Sequence, residues 1–320
     1  MHILINGWFT GQQSAGSGQY LYYLLPHLGV QDSTVRYSLL LPQGWQATFT
    51  LPLPTNVTTI TQALPALPKN LAKLWWEQIT VPWMARKIQA DALWVPYWAA
   101  PWWQPVPTTV TLHDLIPLLL PDYREGILNQ LYTALVTFTT RRATSIITVS
   151  HASKRDIVAH LHVPEERVHV VYHGPTMEIE TPHPTQEQIR RKYNLPTRYF
   201  LYLGGFDVRK NLRGTLTAYK RYLEHNGDPS IKLVIAGKLP QLDSPFMPDP
   251  RRMAAELALN DQVRFCGWVD DQDKMLLYAG ATAYLFPSLY EGFGMMILEA
   301  QTAGVPLLTS QTLTNFIEIS

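Results

Sequence analysis

The sequence has little of three things: cysteine, net charge and long apolar runs. Its single cysteine, Cys266, excludes an internal disulfide bond and fits a reducing cytoplasm. Lysine and arginine number 26 against 25 aspartate and glutamate, so the charge gives no reason to expect a nucleic acid as partner. No apolar run approaches the roughly 18 residues of a membrane span, and the opening MHILING lacks the basic region of a signal peptide. We therefore expect a cytoplasmic protein that is soluble or peripheral to a membrane.

What the chain does have is a regular alternation of short apolar strands and helices, which predicts an α/β fold with parallel sheets. A length of 320 residues is enough for two domains. The residues after Pro175 show no clear period and indicate a linker, so we predict one domain over residues 1–178 and a second over 179–320. The predicted elements include strands near residues 2–7, 35–42, 56–62, 231–238, 262–269 and 281–288 and a helix over 71–89.

The most informative stretch is FPSLYEGFGMMILEAQTAGVPLLTS, residues 286–310, in which two carboxylates flank a glycine-rich turn and a helix start. The turn beside Glu291 lets the backbone approach a ligand, and the helix that begins near Phe293 points unpaired N–H groups at it, which favours an anion. Glu299 lies among apolar neighbours, where a carboxylate needs a polar partner such as a ribose diol. The alternatives are a capping role for Glu291 and a solvent-facing position for Glu299.

Two further turns carry polar side chains where ligands bind in open α/β sheets. In GGFDVRKN, Arg209 and Lys210 stand at a helix N-terminus, where two cations oppose the helix dipole unless an anion, such as a diphosphate, lies between them. In TTVTLHDL, a strand running from residue 108 ends in His113 and Asp114. His113 is a candidate site residue, while Asp114 either caps a helix or orients His113.

Two other features have both a structural and a functional interpretation. The glycine-rich loop through Gly16 and Gly18 either places backbone amides beneath a helix start, where they can bind a phosphate or a sugar hydroxyl, or is a plain strand-to-helix turn. Seven of the ten tryptophans lie between Trp75 and Trp103. They either pack in the core and loops or form an aromatic surface that stacks on sugar rings or enters a membrane interface.

EGFGMMILEA followed by AGVPLLTS resembles the E-x7-E signature of retaining glycosyltransferases of family 4, also called glycosyl transferases group 1. The resemblance covers nearly the whole chain, from GSGQY to IEIS. It implies the GT-B fold, with two doubly wound Rossmann-like domains facing a cleft, the first on the acceptor side and the second binding the nucleotide sugar. It implies transfer of a hexose from a nucleotide sugar of the GDP-mannose or UDP-glucose type to a saccharide or glycolipid acceptor, without metal or cofactor. The HDL and RKN segments are most similar to mannosyltransferase-like members that act on bacterial polysaccharides.

The same resemblance implies roles for individual residues. The leaving diphosphate is held by Arg209 and Lys210, the sugar hydroxyls by Glu291, and the ribose by Glu299, while His113 meets the donor sugar. Further donor contacts are implied for Gly16, Gly18, Gly205, Val269, Gly292, Phe293, Gly294 and Met295. Many members carry an arginine directly after the glycine, where this chain has Gly205, so its role passes to Arg209.

The end of the chain raises an alternative function. Family members continue beyond the segment that corresponds to IEIS, so we expect the chain to be cut short at its C-terminus. Since the missing helices would brace domain closure, the protein could bind a nucleotide sugar without turnover. A phosphorylase of the same fold is a further rival, but it would need a pyridoxal-phosphate lysine that no stretch indicates.

Overall fold

The computed structural model describes residues 1–11, 16–45, 49, 51–124, 126–174 and 184–310. The chain divides into two compact units, Met1–Tyr172 and His173–Ser320. The predicted boundary between residues 178 and 179 lies outside the described residues, and so does the IEIS segment.

Unit 1 is built on a seven-stranded sheet in which every pairing is parallel. Its strands are β1 His2–Asn6, β2 Arg36–Pro42, β3 Val57–Gln62, β4 Ala92–Val95, β5 Thr108–Thr111, β6 Ser145–Thr148 and β7 Val168–Val170. The strand order is β3-β2-β1-β4-β5-β6-β7, so the direction of winding reverses between β1 and β4. In such sheets the crevice outside the carboxyl ends of the strands at the reversal is where ligands bind.

Helices connect these strands. They are α1 Gly16–Gln31, α2 Lys69–Trp75, α3 Val81–Lys87, α4 Ile116–Leu119, α5 Ile127–Thr140 and α6 His151–Leu161. The helix predicted over residues 71–89 is present, but a π-helical turn, Trp76–Thr80, separates α2 from α3. Pro82 follows this turn in the first positions of α3. A proline cannot donate a backbone hydrogen bond and crowds the preceding turn, which explains why the regular helix is interrupted just before it.

The strand predicted to run from residue 108 to His113 is shorter than expected. It ends at Thr111, and the apolar residues beyond it form α4 rather than an extended strand. The proline in the first turn of α4 explains this change, since its fixed φ suits the start of a helix and it lacks the N–H that a central strand needs.

Unit 2 contains a five-stranded parallel sheet in the order β10-β9-β8-β11-β12. Its strands are β8 Arg198–Leu203, β9 Ile231–Ala236, β10 Val263–Gly267, β11 Ala283–Phe286 and β12 Leu307–Thr309. Its helices are α7 Gln186–Lys192, α8 Leu212–Glu224, α9 Pro250–Glu256, α10 Asp271–Ala279 and α11 Met295–Thr302. The strand order reverses between β8 and β11.

Each sheet has an apolar core on both faces. In β1 the adjacent residues Leu4 and Ile5 are fully buried in two different core clusters, because successive side chains of a strand point to opposite faces. In β8 the adjacent residues Leu201 and Tyr202 do the same. Both units are therefore doubly wound parallel α/β structures, as the alternation of apolar segments predicts.

Candidate functional site

The candidate site of unit 2 lies in the loops that follow β8 and β11. These strands pair directly, with Ala283 opposite Phe200, so the loops at their carboxyl ends are neighbours. Arg209 and Lys210 lie in a single 3-10 turn after β8, and Glu291 follows β11. The sheet thus brings together two cations and a carboxylate that are far apart in sequence, at the point where the strand order reverses.

The carboxylate of Glu291 is shared between both cations. Its Oε2 lies 2.6 Å from Nη1 of Arg209, and its Oε1 lies 2.6 Å from Nζ of Lys210. Nη1 of Arg209 also donates to the carbonyl oxygen of Tyr290 at 2.9 Å. The three charged side chains are only 10–12% exposed, so water screens them weakly and their mutual attraction is strong.

The cations decide the charge state of Glu291. Burial raises the pKa of this carboxyl, but the positive charges of Lys210 and Arg209 outweigh burial and hold its pKa below the ordinary value. Glu291 is therefore ionised at neutral pH. An anion was predicted beside Arg209 and Lys210, and the carboxylate of Glu291 takes that position in this structure.

The glycine-rich turn after Glu291 leads into α11. Gly292 and Phe293 are buried, and Gly294 has a φ of +86°, a left-handed conformation that favours glycine. The helix begins at Met295, two residues later than predicted, and Gly294 accepts from the N–H of Ile297 at 2.8 Å. The N–H groups of the first turn and the positive end of the helix dipole make this segment suited to an anion.

Asn211 joins the cation turn to the loop after β11, a contact that the sequence reasoning missed. Its Oδ1 accepts from the N–H of Gly214 and caps α8, while its Nδ2 donates to the carbonyl of Pro287 at 3.2 Å. Its φ of 51° is left-handed, and asparagine tolerates that conformation better than most residues. The asparagine immediately after Arg209 and Lys210 was the available signal.

Glu299 is buried inside unit 2. Its side chain accepts a hydrogen bond from the hydroxyl of Tyr278 at 3.1 Å, and the residue is 7% exposed. The solvent-facing alternative is therefore wrong. Burial raises the pKa of Glu299, and the positive charge of Lys274 only partly opposes that shift. The two glutamates of one motif thus have opposite electrostatic surroundings, and Tyr278 is a partner that the sequence did not indicate.

The remaining predicted residues of unit 2 border the same sheet edge. The carbonyl of Gly205 accepts from the hydroxyl of Tyr202 at 2.7 Å. Val269 is buried in one of the core clusters of the unit. His173, which the sequence reasoning did not single out, packs its ring edge-on against Phe293 at 5.1 Å, and burial lowers its pKa to about 4. The imidazole of His173 is therefore neutral over the physiological pH range.

The predicted residues of unit 1 form a separate group. His113 lies just beyond β5, where its carbonyl accepts from the hydroxyl of Ser153 at 3.1 Å and its ring packs edge-on against Tyr20 at 5.0 Å. Oδ1 of Asp114 accepts from the N–H of Ile116, the first residue of α4, at 3.0 Å.

Tyr20 belongs to α1, so it connects His113 to the helix that carries two predicted glycines. Gly16 is the first residue of α1, and Gly18 is buried in its first turn. Both glycines, which were predicted in a loop before the helix, therefore belong to the helix itself. The N–H groups of a first helical turn have no partner within the helix itself, so the role predicted for this loop stays a prediction.

Comparison with known proteins gives the same division of the chain into two parts. The family model of Glycosyltransferase Family 4 matches residues 15–177, and that of Glycosyl transferases group 1 matches residues 185–319. O-antigen chain mannosyltransferase B of Escherichia coli is 30% identical over 202 residues, which are 62% of this chain and 52% of that protein. O-antigen chain mannosyltransferase RfbU of Salmonella typhimurium is 25% identical over 63% of this chain and 51% of its own length. The chain thus spans about half the length of these relatives.

Solved structures resemble the chain over nearly all its length. Sucrose-phosphate synthase from Thermosynechococcus elongatus aligns with a TM-score of 0.67 at 18% identity, covering 98% of this chain and 82% of that one. Anabaena HepE, solved in complex with UDP-glucose, aligns with a TM-score of 0.66 at 16% identity, covering 97% and 80%. At these identities the likeness concerns the fold. With both halves matched by family models and both sheets built as doubly wound units, the chain belongs to glycosyltransferase family 4 and has the GT-B fold.

Proposed function

We propose that this protein transfers a hexose from a nucleotide sugar to a saccharide or glycolipid acceptor, with retention of the anomeric configuration. The observation that carries the proposal is the meeting of Arg209, Lys210 and Glu291 beside the N-terminus of α11. Two cations beside the N–H groups and the positive dipole end of a helix start suit a diphosphate, and an ionised carboxylate suits sugar hydroxyls. The named relatives are mannosyltransferases, which supports GDP-mannose as the donor to test first and UDP-glucose as the second.

In this proposal each part of the unit 2 site has one task. Arg209 and Lys210 hold the diphosphate together with the amides from Gly292 to Met295, and Glu291 turns towards the sugar hydroxyls. Glu299 accepts from the ribose hydroxyls. Backbone groups near Val269 meet the base, and the loop at Gly205 lines the diphosphate.

The proposed reaction is a front-face displacement. The bond from the anomeric carbon to the phosphate oxygen breaks as the bond from the acceptor oxygen to that carbon forms, and the acceptor's proton passes to the departing diphosphate. Arg209 and Lys210 stabilise the negative charge that grows on this leaving group. Charge stabilisation by these side chains replaces a metal in the proposal, so activity is expected to be unchanged in EDTA and to require no cofactor.

The proposal also includes the roles that the family resemblance implies for residues of unit 1. His113 acts on the donor sugar, and the first turn of α1 at Gly16 and Gly18 offers backbone amides to the substrate. His113→Ala is expected to lower turnover while leaving nucleotide affinity nearly unchanged, because the diphosphate contacts belong to unit 2. A parallel loss of nucleotide affinity and turnover would remove His113 from this role.

The test is incubation of the protein with radiolabelled GDP-mannose and UDP-glucose, followed by measurement of nucleotide release and of the product's anomeric configuration. Lys210→Ala is expected to lower turnover by ~10²-fold or more, because it removes a charge that acts on the leaving group. Lys220→Ala is the matched control, since Lys220 is an exposed lysine of the same unit whose weak pairing with Glu224 spans 3.9 Å.

Three results would count against the proposal. Unchanged turnover in Lys210→Ala would remove that lysine from the site. Binding of nucleotide sugar without release, whichever acceptor is supplied, would favour a binding protein without turnover. Inversion at the anomeric carbon would exclude the front-face displacement.

A further inference from the structure

The surface of unit 1 carries a stripe of large exposed apolar side chains along α2, the π-helical turn and α3. Leu71, Trp75, Ile79 and Trp83 are 52%, 47%, 49% and 45% exposed. They recur every four residues, a spacing that places them along one side of the helical segment. A surface helix of a soluble protein carries polar residues on its outer side, so this stripe needs a separate explanation.

A second apolar stripe lies on α5. Ile127, Leu128, Leu131 and Phe138 are 75%, 81%, 61% and 45% exposed. The helix sequence ILNQLYTALVTFTT contains no charged residue. Its buried side is formed by threonines and Val136, so the more apolar side of α5 is the one that faces outward.

Trp102 connects the two stripes. Its ring stacks on Phe138 of α5 with centroids 5.0 Å apart, and its backbone N–H donates to Gln78 of the π-helical turn at 2.8 Å. Trp102 is itself 52% exposed, and the adjacent Trp103 is 44% exposed. The two stripes and this tryptophan pair form one surface, which we call the aromatic face.

A buried polar cluster fixes the two helices to each other beneath the aromatic face. Glu77 is fully buried, lies 3.2 Å from Nζ of Lys73, and accepts from the hydroxyl of Tyr132 on α5 at 3.0 Å. Lys73 in turn donates to the Tyr132 hydroxyl at 2.9 Å. A buried carboxylate and a lysine are costly to leave unpaired, so this cluster favours one arrangement of the helices.

The helical segments that carry the aromatic face are rich in positive charge. Residues 69–87 and 127–142 contain six lysines and arginines, Lys69, Lys73, Arg86, Lys87, Arg141 and Arg142, and one carboxylate, the buried Glu77. Nζ of Lys87 lies 4.6 Å from the ring centroid of Trp83, and the guanidinium of Arg142 lies 5.6 Å from that of Trp102. Long basic side chains that lie along aromatic rings are typical of surfaces at the boundary of lipid headgroups.

We propose that the aromatic face docks on an anionic lipid bilayer. Its tryptophans and leucines would enter the boundary between headgroups and acyl chains, and its exposed lysines and arginines would contact the anionic headgroups. Among the helices in the described ranges, none is long and apolar enough to cross a membrane, so the contact is one of docking. A second copy of the chain fits this face less well, because a symmetric contact would place two like-charged rims against each other.

The experiment is co-sedimentation of the full chain with vesicles of phosphatidylcholine alone and with vesicles that also contain phosphatidylglycerol. We expect binding to the anionic vesicles that weakens as salt is added and that needs no nucleotide. Trp83→Gln combined with Leu131→Gln is expected to lower the partition coefficient at least tenfold, and Arg86→Gln with Lys87→Gln to lower it mainly at low salt. Val30→Gln with Leu242→Gln removes apolar side chains elsewhere that are even more exposed, at 72% and 82%, and should leave binding unchanged.

Several outcomes would overturn the proposal. If the wild-type protein fails to sediment with anionic vesicles, no bilayer docks here. If it forms a dimer in sedimentation equilibrium that the Trp83 and Leu131 substitutions abolish, and vesicles do not compete, the face belongs to a second copy. Since the measurement uses no donor, failure of this proposal leaves the proposed transfer untouched, and loss of transfer activity leaves vesicle binding untouched.

Discussion

Glu291 and Glu299 belong to one sequence motif and are almost equally buried, yet replacing each by glutamine should change stability in opposite directions. Glu291→Gln leaves the positive charges of Arg209 and Lys210 facing a neutral amide. Removing one partner of a buried ion pair costs about 3–5 kcal/mol. Since these groups keep 10–12% exposure, we expect roughly 2–4 kcal/mol. At about 2–4 °C per kcal/mol, the Tm should fall by roughly 5–15 °C.

Glu299→Gln should have the opposite effect at neutral pH. Burial disfavours the ionised form of Glu299, and a glutamine oxygen can still accept from Tyr278. We expect a gain in the range of about 0.5–2 kcal/mol that is common for single stabilising substitutions. If Glu299 binds the ribose, the same variant should bind the nucleotide more weakly.

The contributions of Glu291 and Glu299 to stability should also depend on pH in opposite ways. The pKa of Glu291 is lowered, so its stabilising contribution is present above the ordinary carboxyl range and is lost as the pH falls through its folded value. The pKa of Glu299 is raised, so its unfavourable contribution to stability grows as the pH rises from the ordinary carboxyl pKa through the raised pKa of the folded state.

Urea unfolding of the wild type and both variants from pH 4 to 8 in phosphate-free buffer measures these contributions, provided the slope m is unchanged. Equal losses of stability in both variants would refute the assignment of opposite surroundings. The assignment would also be refuted if the stability of Glu299→Gln depended on pH in the same way as that of the wild type.

Four further changes test other parts of the structure. Tyr132→Phe removes the hydroxyl donor to the buried Glu77 and should cost about 1–3 kcal/mol in urea unfolding. Ser150→Ala removes the N-cap of α6 and should cost about 1 kcal/mol, whereas Ser150→Gly should cost only a few tenths. Gly237→Ala places a Cβ against a backbone carbonyl at a φ of +148°, and we expect a loss of about 3 kcal/mol or more and a lower thermal midpoint. Glu291→Gln should bind UDP or GDP at least as tightly as wild type in calorimetry while losing turnover, since it removes a competing negative charge.

The fold was largely predictable because its signals are local. Short apolar runs separated by polar turns placed β1, β2, β3, β9, β10 and β11 within a few residues. The central strand β4 was not predicted, because its four residues lie in the tryptophan-rich stretch. Two further differences arose at prolines. The helix over residues 71–89 contains a π-helical turn before Pro82, and the strand after residue 108 stops at Thr111 because the following apolar run forms α4. Each depends on how the backbone accommodates a missing N–H, which an apolar pattern does not show.

The site was predictable in composition but not in pairing. The E-x7-E spacing and the two adjacent cations identified the candidate side chains, yet their contact depends on β8 lying beside β11, which is a property of the whole sheet. The contacts of Tyr278 with Glu299 and of Asn211 with Pro287 likewise depend on tertiary structure, although Asn211 stands directly after the two cations in the sequence. The tryptophan cluster shows a further limit. Trp76 is fully buried and Trp75 is half exposed. Adjacent tryptophans thus lie in the core and on the surface, and the sequence alone does not tell them apart.

The shared position of Glu291 has a consequence for selectivity under the proposed function. A free phosphate or nucleoside diphosphate that approaches Arg209 and Lys210 meets the negative charge of a carboxylate already held there. A nucleotide sugar brings hydroxyl donors with its phosphates, so the carboxylate can exchange an ammonium partner for a hydroxyl one. Once the sugar has left, that compensation is gone, and the carboxylate can return to the cations and help to expel the nucleotide. The same side chain would thus favour the substrate on arrival and hasten departure of the product.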